Sequence, residues 1–427
     1  MKILVIGSGG REHTLVWKIA QSPYVEKIYC IPGNPGIAEL AACEKMDVES
    51  FDSIARFAMD SRIDLTIIGP EDPLANGIVD YFQDAGLRIF GPSKLAAEIE
   101  SSKIFAKELM HKYGIPTAND KTFDNPDDAK AYIRDIGAPI VVKADGLAKG
   151  KGAFPCRDIK SAEMAVDSIM VLREFGDAGN RIIVEEFMEG EEASFIAFTD
   201  GKTIKPMASA QDHKPIYDGD KGPNTGGMGA YSPAPVVTES VHKKIMDQIK
   251  TAIKGMSAEG REYKGVLYAG LMIKDGEPRV VEFNARFGDP ETQAVLPRLK
   301  SDIVPVMQAC IDGDLDKVQM EWTQEVAVCV VMASGGYPGK YGKGSAIYGL
   351  KDASAMNNVI VFHAGTARDG DKIVTSGGRV LGITAIGKDI GNAIERVYKA
   401  LEKIHFENAY YRKDIGYRAL EHRGSKG

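Results

Sequence analysis

The sequence predicts an α/β protein that opens with a doubly wound parallel sheet and continues into further domains. Three observations carry this. A short apolar run, Lys2 to Ile6, passes through Gly7, Gly9 and Gly10 into a helical pattern from Arg11 to Ala20, a strand-turn-helix unit. Strand candidates recur at Lys27–Ile31, Leu65–Ile68 and Arg88–Phe90, with helical patterns at 49–60, 73–84 and 94–112. Downstream, residues 280–287 alternate as a strand, with Val281, Phe283, Ala285 and Phe287 on one face and Glu282, Asn284 and Arg286 on the other. A chain of 427 residues has room for about three domains.

In the first unit the turn Gly7-Ser8-Gly9-Gly10-Arg11-Glu12 fails the dinucleotide fingerprint. Glu12 stands where a third glycine is required, and no acidic residue ends the next strand near Ile31. What survives is general: small residues let backbone N–H groups at a helix N-terminus approach an anion, and Arg11 adds charge. Gly9, Gly10, Arg11 and Glu12 are therefore candidates for a phosphate-bearing substrate; the alternative is a tight turn with Arg11 and Glu12 solvated. The loops Pro32-Gly33-Asn34-Pro35-Gly36 and Gly69-Pro70-Glu71-Asp72-Pro73 also follow strand ends, where ligands of such sheets bind.

The helix beginning Ser102-Lys103 leads out of this domain, and Pro116 closes it. A compact unit follows, with strands at Ile140–Lys143 and Ile182–Glu186 and a helix from Ser161 to Leu172. Its hairpin, residues 142–152, carries Lys143, Gly150 and Gly152 among further lysines and glycines. It is no Walker A loop, but its lysines on a mobile backbone can fold over a triphosphate; a solvated basic hairpin is the alternative. The stretch Glu185-Glu186-Phe187-Met188, running on to Glu192, offers backbone donors and acceptors for an adenine edge and carboxylates for ribose hydroxyls. Asp212, Lys214 and the run Thr225-Gly226-Gly227-Met228-Gly229 read as one long functional loop, and helix 238–255 and strand 266–273 return the chain to residue 280. There a carboxylate and an amide oxygen, Glu282 and Asn284, can share one hard cation bridging phosphates, with Arg286 beside them; the alternative is a solvated face with Arg286 paired to Glu282.

The formal charge of −7 and pI near 5.7 argue against sequence-independent nucleic-acid binding. Cys30, Cys43, Cys156, Cys310 and Cys329 form no CxxC pair, so neither a disulfide framework nor a zinc site is indicated. No signal-peptide pattern or membrane-spanning run is evident, which makes the cytoplasm the expected compartment and excludes a membrane partner.

The basic hairpin, the acidic hinge and the Glu282/Asn284 strand, taken together, resemble the ATP-grasp superfamily. The Gly-Gly-Arg-Glu-His turn, the PGNPG and GPEDPL loops, the segment DHKPIYDGDKGPNTGGMGAYSP and RFGDPE at 286–291 resemble, within it, the glycinamide ribonucleotide synthetase family, over the whole length of the chain. The resemblance implies ATP-dependent ligation of glycine to 5-phosphoribosylamine through a glycyl phosphate. It implies ATP held by Lys103, Lys143, Gly150, Gly152, Glu185, Glu186, Met188 and Glu192, and Mg²⁺ or Mn²⁺ on Glu282 and Asn284. Arg286, Lys143 and Asp289 become the catalytic candidates, and Gly9, Gly10, Arg11, Glu12, Asp212, Lys214, Gly226, Gly227 and Gly229 face the other substrates. The domains expected are a substrate-binding unit at 1–103, a connecting helix at 104–116, a mobile lid at 117–189, a central domain at 190–325 and an α+β C-terminal domain at 326–427. A monomer is expected, with a weak homodimer as the alternative; a sister ligase or carboxylase with another acceptor is the alternative activity.

Overall fold

The computed structural model describes residues 1–148 and 151–424, without the side chains of residues 423 and 424. The N-terminal sheet is wholly parallel, in the order Ala42–Cys43, Lys27–Pro32, Lys2–Gly7, Leu65–Ile68, Ile89–Phe90. Strand order therefore reverses beside Lys2–Gly7. The turns after Gly7 and after Ile68 flank that switch point, where the two halves of the sheet diverge and leave a crevice.

Two helical patterns are each interrupted. The stretch 73–84 belongs to two helices, Glu71–Asn76 and Ile78–Asp84, parted by Gly77 at φ 93°. The stretch 94–112 splits at Ser102, which is extended at φ −132° and ψ 108° between Lys94–Ser101 and Lys103–Lys112. Ser102 caps the second helix by accepting the N–H of Phe105 and donates to Asp145, whose carboxylate also accepts the N–H of Ile104. That acceptor lies more than forty residues away, so the break has no local signal.

Residues 120–186 form a second unit around a core of their own. Its antiparallel sheet runs Asp120–Phe123, Ile182–Glu186, Ile140–Ala144, Ala153–Cys156, so two outer strands join the two expected. The expected 161–172 helix spans Ile159–Val166 and ends in a π-helical turn, Asp167–Val171. The central antiparallel sheet is ordered Ile204–Pro206, Glu191–Thr199, Gly265–Lys274, Glu277–Asn284, and shares one hydrophobic core with the N-terminal helices.

The last strand departs from simple alternation. A bulge opposite Gly270/Leu271 puts Val280, rather than Val281, in the core beside Phe283. Val281 faces the cleft instead, and its carbonyl accepts the Lys143 ammonium at 3.2 Å. The expected long loop at 212–229 is also structured. Gln211–Asp212 and Gly229–Ser232 are strands of the C-terminal sheet, beside Val326–Ser334, Arg379–Gly387 and Val359–His363, and the hairpin Pro215–Tyr217/Lys221–Asn224 lies between them.

The N- and C-terminal sheets meet at a histidine seam. His13 Nδ1 accepts the N–H of His363 at 2.8 Å, and Asn34 donates to the carbonyls of Ser8 and His363. Gly36 is there because a Cβ would lie 2.4 Å from the His13 ring and 2.7 Å from that of His363. Burial pushes His13 down to about 3 and His363 down to about 4. Both rings are neutral when folded and bind protons on unfolding below their ordinary value of 6.5, so their contribution is present above that pH and lost as pH falls. We expect the unfolding free energy from urea titration to drop between pH 6.5 and 4, by up to about 1.4 kcal/mol per pH unit for each histidine, and to drop less steeply in His363→Gln.

Candidate active site

A cleft of about 1200 Å³ lies between the 120–186 unit, the central sheet and the N-terminal switch point. Its walls bring together Arg11, Lys103, Lys143, Gly152, Glu185, Glu186, Met188, Glu192, Asp212, Lys214, Gly226, Glu282, Asn284, Arg286 and Asp289. Residues up to 278 positions apart in sequence thus face one volume, well within the size that holds a nucleotide and a small co-substrate. Gly150 lies outside the described residues.

On the roof, Lys143 projects from strand Ile140–Ala144 and pairs with Glu185 at 2.8 Å. Glu185 also meets Lys107 at 3.4 Å, and Lys107 in turn reaches Asp120. One buried carboxylate therefore spaces two ammonium groups. Lys103 donates to the Gly146 carbonyl at 2.9 Å; burial pushes it down, with Glu282 the leading opposing charge. Glu186 is turned outward by Arg279 and the Asn119 N–H.

On the floor, Lys214 lies 2.8 Å from Glu192 and 3.3 Å from Asp212. Burial works against its ammonium, but Asp212 and Glu192 outweigh burial and hold it well above the ordinary lysine range. Burial pushes the Asp212 carboxyl up to about 6 despite Lys214. Deeper in, Arg286 pairs not with Glu282 but with Glu71 at 3.0 Å and Glu100 at 3.1 Å. This frees Glu282 from the role of its counter-ion. Burial pushes Glu100 up to about 7, with Arg286 opposing. Asp289 accepts the Arg11 N–H at 3.4 Å, Gln293 Nε2 at 2.9 Å and a salt bridge from Arg379 at 3.3 Å. Arg379 also donates to the carbonyls of Gly226, Gly227 and Asp289.

Five described candidates, Gly9, Gly10, Glu12, Gly227 and Gly229, do not line the cleft. Glu12 is 2 % exposed; it caps the Gly9 N–H and pairs with Arg11 at 2.7 Å. Gly10 packs on Gln293 and Gly227 on Pro290, each leaving no room for a Cβ. Gly229 lies within a strand, against the carbonyl of Cys329. The sequence reading missed Glu71, Glu100, Lys107 and Arg379. Glu71 sits in the GPEDPL loop already singled out as a segment, and Arg379 opens strand Arg379–Gly387; Glu100 and Lys107 sit in helices with no local mark.

The donor set suits a hard divalent cation only in company. Among the described residues no cluster of three or more His, Cys, Asp or Glu could hold a metal alone. Glu282 and Asn284 supply one carboxylate and one amide oxygen, and Arg286 approaches the latter only at 3.4 Å. One or two protein oxygens completed by substrate phosphates is the arrangement Mg²⁺ favours, so the residues fit it.

A lysine-bearing hairpin over a hinge, facing a strand with paired oxygen ligands, defines the ATP-grasp class of ligases. The family comparisons agree: the phosphoribosylglycinamide synthetase ATP-grasp (A) domain matches residues 101–292, the N domain 1–100 and the C domain 327–418. The chain is 52% identical to the phosphoribosylamine–glycine ligase of Pseudomonas aeruginosa over 424 residues, 98% of each chain. It is 51% identical to that of Escherichia coli K12 over 426 residues, 99% of each. Among solved structures, phosphoribosylamine–glycine ligase from Thermotoga maritima matches with TM-score 0.84 and 31% identity, over 97% of this chain and 100% of that one. A biotin carboxylase from Campylobacter jejuni shares the fold, with TM-score 0.74 and 15% identity over 98% and 95% of the two chains. The chain belongs to the phosphoribosylglycinamide synthetase family.

Gly69 offers a steric test of the N-terminal turn. A Cβ there would lie 2.1 Å from Glu12 Oε1. We expect Gly69→Ala to displace Glu12 and lower stability by about 1–3 kcal/mol, and Glu12→Gln to weaken the coupling when combined with it; denaturant unfolding of the two single variants and the double variant measures this.

Proposed function

We propose that this chain joins glycine to 5-phosphoribosylamine, cleaving ATP to ADP and phosphate, in purine biosynthesis. The observation that carries the reading is the cleft itself, with Glu282 and Asn284 on one strand and Arg286 just beyond its end, opposite Lys103 and Lys143. The reaction begins by joining two anions: a glycine carboxylate oxygen attacks the γ-phosphorus and the bond to ADP breaks. The amine nitrogen of phosphoribosylamine then attacks the acyl carbon of glycyl phosphate, loses a proton and displaces inorganic phosphate. The obstacle in the first step is charge, so positioning and fixed cations supply the catalysis.

In this reading Lys103 and Lys143 hold phosphate oxygens, and the Glu185 bridge keeps Lys143 extended toward them. The backbone around Glu186 and Met188, together with Gly150 and Gly152, takes the nucleotide, and Glu192 takes its ribose. Arg286 faces the transferring group, fixed by Glu71 and Glu100. Glu282 and Asn284 would hold Mg²⁺ or Mn²⁺, which when bound screens phosphate charge. Asp212, Lys214 and Gly226 flank the glycine side, and Arg11 with the Gly9 turn receives the sugar phosphate, oriented through Asp289. The 117–189 unit acts as a lid, since water would compete with the amine for an activated acyl group. We take the enzyme to work as a cytoplasmic monomer on small molecules, without nucleic acid or membrane.

The test is release of ADP and phosphate with ATP, Mg²⁺, glycine and phosphoribosylamine generated from ribose 5-phosphate and ammonia. We expect turnover to require both acceptors, and Glu282→Gln to lower kcat by about 10²–10³, as loss of one preorganised electrostatic group does elsewhere. Nucleotide binding without turnover would overturn the reading.

A further inference from the structure

The end of the chain closes on the active cleft rather than on its own sheet alone. Arg412 is fully buried. Its guanidinium donates to the carbonyl of Pro215 at 3.1 Å, to Asp220 at 2.9 Å, and through two nitrogens to Asp414 at 2.8 and 2.7 Å. The surrounding residues repeat the pattern. Asp414 accepts the Gly219 N–H and Asp218 accepts the Lys413 N–H, both at 2.8 Å; Tyr417 and Arg418 donate to Asp220; the Gly416 N–H donates to His213 Nε2 at 3.1 Å. All of these grip the hairpin Pro215–Tyr217/Lys221–Asn224 or the residues that lead into it.

That hairpin lines the cleft, and its two ends are the floor. Thr225 donates to the Lys214 carbonyl from both its N–H and its hydroxyl, at 2.9 and 2.7 Å, so Lys214 and Gly226 move with it. The hairpin does not set its own shape. Its tip holds Asp220 at φ 53°, a left-handed conformation disfavoured outside glycine, and the Asp220 carboxylate is anchored by the tail. A buried ion pair adds little stability over apolar groups of the same volume, but a guanidinium with fixed donors adds geometry.

We propose that Arg412, fixed by Asp414, is a positioning residue that holds the 215–224 hairpin, and with it Lys214 and Gly226, in the arrangement that binds substrate. This rests on the ligase reading above. Neither Arg412 nor Asp414 lines the cleft, so changing them removes no group from its walls.

The experiment is initial-rate kinetics on the full chain for Arg412→Met, Arg412→Lys and Asp414→Asn, alongside thermal unfolding and calorimetric titration with ATP. In Arg412→Met, KM for glycine and ATP rises about tenfold or more, kcat falls by less than KM rises, and Arg412→Lys recovers part of the loss. ATP affinity weakens in the same order, which tests the clamp even if wild type fails to ligate glycine; that failure would overturn the function and not the clamp. Folded Arg412→Met with wild-type KM and ATP affinity would overturn the clamp, as would a rate loss that only follows the folded fraction. If Arg412→Met does not fold, Asp414→Asn answers by the same readouts.

Discussion

The half-buried guanidinium of Arg286 is the constraint on which the rest of the site depends. It sits on the segment that follows strand Glu277–Asn284, and its two carboxylate partners come from elsewhere: Glu71 from the helix after the fourth N-terminal strand to appear in the sequence, Glu100 from the end of helix Lys94–Ser101. A cation in so little water is costly unless paired on every side. Here the pairing is also architectural, because satisfying Arg286 fixes the N-terminal sheet against the central one. Glu71 serves twice, reaching Arg11 at 3.6 Å as well. Burial holds the Glu100 carboxyl up at about 7, with Arg286 opposing and Glu71 adding to the rise.

Much of this was legible in the amino-acid order wherever the signal was local. Leu65–Ile68, apolar but for Thr66, forms the strand it suggests. Glu282 and Asn284 lie two residues apart on a strand and both line the cleft, as period-2 geometry requires. What failed to show was fixed at a distance. Asp120–Phe123 is mostly polar and Ala153–Cys156 carries Pro155, so no alternation announces these outer strands. Ser102 breaks a helix without proline or glycine because Asp145 holds it. Glu100 reads as one more helical acid, and only its bond to the Ala285 N–H, 185 residues on, reveals its work. The bulge at Val281 likewise belongs to the pairing with Gly270/Leu271 and not to its own strand.

The C-terminal sheet is a working part of the cleft. Arg379 comes from one of its strands and stabilises the carbonyls of Gly226 and Asp289 simultaneously, so it ties the glycine-rich turn to the loop that follows Arg286. Lys151, from the hairpin of the 120–186 unit, donates to the Pro338 carbonyl at 3.2 Å, while Tyr337 beside it accepts the Gly226 N–H at 3.3 Å. Roof and floor thus share a contact on the C-terminal domain.

The interleaving of strands has a consequence for how the protein is made. Gly229–Ser232 leaves the ribosome nearly a hundred residues before Val326–Ser334, the strand it pairs with, and the hairpin at 215–224 waits longer still for Arg412. The N-terminal sheet can close as soon as its own hundred residues have emerged. The floor of the cleft cannot, since its hairpin waits for residues 412–418, long after the N-terminal sheet is complete.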